Sequence, residues 1–133
     1  MIKVTTLINL LKKNGTDFFT GVPDSILKEL SSSLESKNKK KHIIATNEGS
    51  AVSIGIGHYL STKKLPAVYM QNSGLSNALN PLISIAHEKV YSIPLILIIG
   101  WRGSPGIKDE AQHNVKGKIT EQILKLLNIK YTI

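Results

Sequence analysis

Residues 42–60 read HIIATNEGSAVSIGIGHYL, and the organisation of the whole chain follows from them. His42-Ile43-Ile44-Ala45 is a short apolar, partly β-branched run of the kind that forms a strand. Asn47-Glu48-Gly49 then turns the chain, and unusually small residues follow: Gly49, Ser50, Ala51, Ser53, Gly55 and Gly57. Glu48 therefore stands at the mouth of a strand-to-helix turn. A glycine inside a helix costs roughly 1 kcal/mol against alanine. Gly55 and Gly57 thus imply close approach of another backbone or of a ligand.

The same rhythm extends outward in both directions. Upstream, Thr5 to Asn14 carries Leu7, Ile8, Leu10 and Leu11 at helical spacing, with Gly15 as a stop. Asp17 to Thr20 reads as a strand, and Gly21-Val22-Pro23 as a turn. Asp24 or Ser25 then caps a helix to about Ser36. A polar loop holds Ser36, Lys37, Asn38, Lys39, Lys40 and Lys41. Downstream, Pro66 to Met70 is a strand, Gln71-Asn72-Ser73-Gly74 a polar turn, and Leu75 to about His87 a helix in which Pro81 is expected to make a kink or mark a new first turn. Leu95 to Ile99 is apolar throughout, the mark of a strand buried on both faces. Gly100 to Lys118 reads as a long polar loop, mobile around Gly100 to Gly106. Thr120 is the expected cap of a last helix to Leu127, and Lys130 to Ile133 begins a fifth strand.

Strands and helices alternate with no hairpin signal, so the fold is α/β: a three-layer sandwich with a central parallel sheet. Ligands of such sheets gather at the carboxyl ends of the strands. That edge would display Gly21 to Ser25, Asn47-Glu48, Gln71 to Gly74 and Gly100 to His113. All four segments are polar, and most bear glycine.

Composition narrows the function classes. The chain has 133 residues, 41% hydrophobic and 20% charged, which suits one globular domain over 1–133. No apolar run reaches the roughly 18 residues of a membrane span, and the N-terminus lacks a signal core. Cysteine is absent, so disulfides and thiolate metal sites are excluded, and the cytoplasm is the expected compartment. The net charge is +8, but the lysines fall in one loop and near helix ends, and Arg102 is the single arginine. That pattern favours an acidic small-molecule substrate over nucleic acid. No dinucleotide or P-loop fingerprint is present, no serine-hydrolase elbow, and no metal-ligand spacing among His42, His58, His87 and His113.

Several blocks carry a resemblance. Phe18 to Ser25 (FFTGVPDS), Asn47-Glu48-Gly49, Val68 to Leu75 (VYMQNSGL), Asn77 to Pro81, Tyr91 to Pro94, Ile99 to Gly103 (IGWRG), Pro105-Gly106, Lys108-Asp109-Glu110 and Gln112-His113 resemble the phosphonopyruvate decarboxylases. These are thiamine diphosphate enzymes of the 2-oxo acid decarboxylase superfamily. The likeness runs over essentially the whole chain. Sulfopyruvate decarboxylase α-type subunits share MQNSG but resemble the GWRG stretch less well. Ser50 and Ser76 depart from the pattern, which favours Asn and Gly there.

The resemblance implies the N-terminal pyrimidine-binding domain of such an enzyme. A glutamate placed like Glu48 bonds N1′ of the cofactor's aminopyrimidine; as a buried carboxyl it favours the imino tautomer that takes the thiazolium C2 proton. Ser25 matches a position where relatives carry an active-site Asp or Ser, and His113 one where they place catalytic histidines. Gln71, Asn72, Ser73 and Gly74 would line the cofactor pocket. Arg102, Lys108 and Asp24 would bind the substrate, a guanidinium suiting a phosphonate. Trp101 reads as a loop anchor, His58 and His87 as structural. The implied cofactors are thiamine diphosphate and Mg²⁺, the metal held through a G-D-G motif on a second domain. This chain has no G-D-G. A diphosphate-binding subunit or domain is thus the expected partner in a homo- or hetero-oligomer, with phosphonopyruvate as substrate. The alternatives are a sulfopyruvate decarboxylase α-type subunit, or a non-catalytic association domain or fragment of the same fold.

Overall fold

The computed structural model describes residues 2–37 and 39–133; Asn38 of the lysine loop lies outside them. Helix α1 (Val4–Lys13) leads into strand β1 (Phe19–Gly21), then α2 (Lys28–Lys37), β2 (His42–Ile44) and α3 (Glu48–Thr62). Strand β3 (Ala67–Gln71), helix α4 (Leu75–Pro81), strand β4 (Ile96–Gly100) and helix α5 (Ala111–Leu126) complete the chain. The four strands form one parallel sheet in the order β2-β1-β3-β4.

Alternation along the strands builds the two outer layers. Ala67 and Tyr69 of β3, with Phe19 of β1, face Ile8 of α1 and Leu30 and Leu34 of α2. Val68 and Met70 point the other way, onto Val52 and Ile56 of α3, Leu75 and Ala78 of α4, and Leu124 of α5. Period-two side chains on β3 thus split one strand between two cores, which is what makes three layers. Tyr69, Phe19, Leu34, Met70, Leu75, Val52 and Val68 are fully buried.

Several sequence expectations are corrected. Helix α2 starts at Lys28 rather than at Asp24 or Ser25. Asp24 still acts as a local cap, its Oδ1 accepting from the amides of Ile26 and Leu27 at 2.6 and 3.0 Å. Pro81 ends α4, and a π-helical stretch, Leu82–Ala86, follows; the proline has no N–H to bond. Strand β4 is an edge strand, only half-buried over Ile96–Ile99, because among the described residues no strand pairs with its outer side. Residues 130–133 are not a strand; they run exposed beside an open, mainly apolar cavity of about 670 Å³ along β4.

The largest correction concerns the long polar loop. Only residues 101–110 are irregular, and α5 occupies 111–126. Thr120 is therefore no cap but a buried mid-helix residue whose hydroxyl bonds the Lys116 carbonyl at 2.8 Å. Gly55 faces Val68, where a Cβ would come within 2.9 Å of Cγ2, so its smallness serves packing onto β3. Gly57 faces open space. No helix among the described residues is long and apolar enough to cross a membrane.

Candidate active site

Parallel register puts the carboxyl ends of all four strands along one edge of the sheet. Gly21, Ile44 and Tyr69 lie side by side, and Gln71 pairs with Gly100. The segments read from sequence as a site therefore meet at that edge.

Glu48 is the first residue of α3. Asn47 caps the helix, its Oδ1 accepting from the Ser50 amide at 2.9 Å. Glu48 is half-buried as a residue, where the resemblance implied a buried carboxyl. One oxygen, Oε2, accepts from Nδ2 of Asn77 at 2.8 Å. The carboxyl lies directly against Gly74. A Cβ on Gly74 would come within 2.4 Å of both Cδ and Oε1 of Glu48. Oε1 has no hydrogen-bond partner among the described residues.

A second cluster holds the segment before α5. Arg102 grips Asp109 in fork-to-fork geometry, Nε to Oδ2 at 2.7 Å and Nη2 to Oδ1 at 2.5 Å. Asp109 also accepts from the amides of Gly103 and Glu110. The hydrogen bonds from Arg102 hold its carboxyl well below the usual carboxylate range. Nη1 of Arg102 reaches Ser25 Oγ at 3.2 Å, joining the β1 turn to the β4 segment. The guanidinium expected to meet an oxyanion is thus bound to Asp109, although it keeps N–H groups beyond these bonds.

Asn72 is buried and engaged inward. Its Nδ2 donates to the Arg102 carbonyl at 3.0 Å and to Thr120 Oγ1 at 2.8 Å, and its Oδ1 accepts from the Arg102 amide at 3.1 Å. Gln71 Nε2 donates to Ser73 Oγ at 2.7 Å. Trp101 anchors the segment as expected, its Nε1 bonding the Gly117 carbonyl at 3.0 Å. His113 lies in the first turn of α5, not in a loop, with Nδ1 buried and unpartnered and Nε2 4.0 Å from Glu110. Oδ2 of Asp24 is likewise buried without a partner. Lys108 is exposed.

The structure thus gathers Glu48 with Gly74, and Ser25 with Arg102. Asn77 and Asp109 are the residues that sequence reading passed over. Both stand inside the quoted motif blocks, but nothing in their spacing shows that Asn77 reaches Glu48 or that Asp109 clamps Arg102.

Comparison with known proteins gives the geometry a family. The family described as "Thiamine pyrophosphate enzyme, N-terminal TPP binding domain" matches residues 3–123. The chain belongs to that family. It is 36% identical over 133 residues to the phosphonopyruvate decarboxylase of Streptomyces viridochromogenes, covering all of this chain and 33% of that protein. It is 37% identical over 118 residues to the sulfopyruvate decarboxylase subunit alpha of Methanococcus maripaludis, covering 89% of this chain and 68% of that subunit. Among solved structures, the benzoylformate decarboxylase of Polynucleobacter necessarius superposes with a TM-score of 0.62 at 27% identity, over 77% of this chain and 19% of that one. The chain spans about a third of the phosphonopyruvate decarboxylases it matches.

The site fits the pyrimidine end of thiamine diphosphate. It offers the carboxyl oxygen Oε1 of half-exposed Glu48, over a glycine whose missing side chain leaves room for that carboxyl.

Proposed function

We propose that this chain is the pyrimidine-binding half of a thiamine diphosphate-dependent decarboxylase converting phosphonopyruvate to phosphonoacetaldehyde and carbon dioxide, in the cytoplasm, as a step of phosphonate biosynthesis. Residues 1–133 form one pyrimidine-binding domain in this reading. A diphosphate-binding domain or subunit supplies the Mg²⁺ site and completes an oligomeric enzyme. The observation that carries the proposal is Glu48 at the start of α3, its Oε1 free over Gly74 on the ligand edge of a parallel sheet.

Bound thiamine diphosphate supplies the nucleophilic carbon and the electron sink that decarboxylation requires. The chain's own residues do the rest. Glu48 would hold the pyrimidine end of the cofactor through Oε1, keeping or giving up a proton at that oxygen while Asn77 holds Oε2. Gln71, Ser73 and Gly74 bound the pocket, while Asn72 fixes it from behind through Arg102 and Thr120. In this reading Ser25, bonded to Arg102, and His113, with Nδ1 unpartnered, are the groups that hold or move a proton during turnover. Lys108 and the remaining N–H groups of Arg102 meet the substrate's anionic end, while Asp24, its Oδ1 holding the amides of Ile26 and Leu27 and its Oδ2 buried, shapes the turn beside them.

Reconstitution tests this. The chain is mixed with a diphosphate-binding polypeptide of the same family, thiamine diphosphate and Mg²⁺, and carbon dioxide release is measured from phosphonopyruvate and from sulfopyruvate. Turnover of phosphonopyruvate that is lost in Glu48→Gln supports the proposal; no turnover of either acid overturns it. Preference for sulfopyruvate would select the second reading, an α-type subunit, to which the 37% identity with that relative also points.

A further inference from the structure

We infer that Asn77 is the positioning residue that decides which oxygen of Glu48 meets a ligand. The inference rests on the reading of Glu48 as the pyrimidine-facing carboxyl. Two neighbours hold that carboxyl. Asn77, in the first turns of α4, donates from Nδ2 to Oε2 at 2.8 Å. Gly74, just before α4, lies beneath Cγ, Cδ and Oε1 with no room for a Cβ. A carboxylate is a two-oxygen acceptor, and an amide donor on one oxygen assigns the other to a different partner. Oε2 is taken by Asn77, so Oε1 is the oxygen that carries or shares the functional proton.

The arrangement also explains why an exposed asparagine is placed at this point. Asn77 and Glu48 are 29 residues apart and stand on different helices, and this bond crosses from α4 to α3. A glutamate without it would rotate about its side-chain torsions and present either oxygen, or neither. Holding one rotamer ahead of binding restricts the free state, so less of that freedom is lost when a ligand binds.

The experiment has two parts. In the 15N-labelled chain alone, the Asn77 side-chain amide is expected to exchange slowly with solvent and to shift in Glu48→Gln. An Asn77 amide behaving like that of a free asparagine overturns the inference. In the assembled enzyme, exchange of the thiamine diphosphate C2 proton is followed by NMR. Asn77→Ala is expected to slow it about tenfold or more, the rate equivalent of one hydrogen bond to a charged group. Asn77→Asp is expected to slow it equally near neutral pH and to recover on acidification, when the introduced carboxyl holds a proton and donates as the amide does. Lys116 of α5, whose Nζ bonds Ser76 Oγ at 3.2 Å, is unchanged in both variants. If Glu48→Gln retains the wild-type exchange rate, the reading of Glu48 fails. If Glu48→Gln is slow while both Asn77 variants match wild type, only the positioning role fails. Asn77 is exposed, so these variants are expected to fold.

Discussion

Nε2 of His42 lies 2.9 Å from the hydroxyl of Tyr69, although the two residues stand on strands that are not neighbours. Strand β1 runs between them, and opposite Tyr69 it places Gly21. A Cβ on Gly21 would come 2.2 Å from the Tyr69 carbonyl oxygen and 2.5 Å from its ring. The absent side chain is what lets the ring occupy the space above β1 and reach β2. Gly21→Ala is therefore expected to destabilise the chain by about 2–3 kcal/mol, the upper range for overpacking, because the obstacle includes backbone. Urea denaturation reads this directly. A change within about 0.5 kcal/mol, the scatter of surface substitutions, would contradict the crossing geometry.

The same pair gives a pH signature. Burial pushes the Tyr69 hydroxyl up to about 12 from an ordinary 10.0, and burial pushes the His42 imidazole below its ordinary 6.5. The tyrosine has its raised value only in the folded state. Its contribution is whole below pH 10 and is lost as pH climbs toward 12. The histidine is the reverse case: the fold favours its neutral form, so stability is whole above 6.5 and declines as pH falls below it. His58, stacked on Phe18 and also lowered by burial, adds to that acid limb. Tyr69→Phe should flatten the alkaline decline relative to wild type and leave the acid limb, measured from denaturation midpoints across pH. An unchanged alkaline limb would count against a buried phenol.

The Arg102–Asp109 clamp should be visible without any ligand. Asp109 accepts from the amides of Gly103 and Glu110 as well as from the guanidinium. Asp109→Asn keeps the shape but removes the charge that orders four N–H donors. Hydrogen exchange at Gly103 and Glu110 should accelerate in the variant, while amides of β3 stay protected. Because Arg102 holds the carboxyl below its ordinary 3.8, wild-type protection should persist as pH falls to that value and fail only below it. Equal exchange at Gly103 in both proteins would mean that the carboxylate does not hold the segment.

Much of this was readable from residue order. The βα alternation, the parallel sheet and the four polar segments on one edge follow from periodicity, and Glu48 from its place before a helix of small residues. Helix α5 was legible only in its second half, from Thr120 on. Gln112, His113, Asn114, Lys116 and Lys118 give its first half no apolar stripe, and Gly117 looks like a break. The structure supplies the reason for that glycine: a Cβ on it would sit 1.8 Å from the Gly103 carbonyl oxygen, and one on Gly103 would sit 1.9 Å from that of His113. Contact between a loop and a helix backbone leaves no periodic trace. The Asn77 and Asp109 bonds are hidden for a related reason, since a long-range side-chain bond has no local signature. The half-exposed β4 misled in the opposite sense, an apolar run being the same whether or not a neighbour covers it.

Gly74 separates site geometry from stability. The atoms a new Cβ would strike belong to the Glu48 side chain, which is flexible and half-exposed. Gly74→Ala should therefore lower stability by no more than about 1–2 kcal/mol, since a side chain can move aside where backbone cannot. It should still displace the carboxyl, so C2-proton exchange in the assembled enzyme should fall as far as in Glu48→Gln. Folded protein with wild-type exchange would show that the carboxyl position over Gly74 is not needed.

Asn72 makes the opposite prediction. It was expected to face the cofactor, yet it is 2% exposed and bonded to both the amide and the carbonyl of Arg102 and to the Thr120 hydroxyl. These bonds join the end of β3 to the segment after β4 and to α5. Replacing Asn72 with leucine would fill a similar volume but strand the Arg102 backbone groups away from water. An unsatisfied buried polar group costs about 1–3 kcal/mol, so Asn72→Leu should lose about 2–4 kcal/mol with no cofactor present, and the Arg102 and Gly103 amides should exchange faster. Asn72→Asp should lose at least as much, since it keeps an acceptor for the Arg102 amide but turns a buried carboxylate oxygen onto the Arg102 carbonyl and loses the donor to Thr120. A residue serving only to line a pocket would leave the stability of the unliganded chain unchanged in both variants, and calorimetry or urea denaturation on the chain alone distinguishes the two cases.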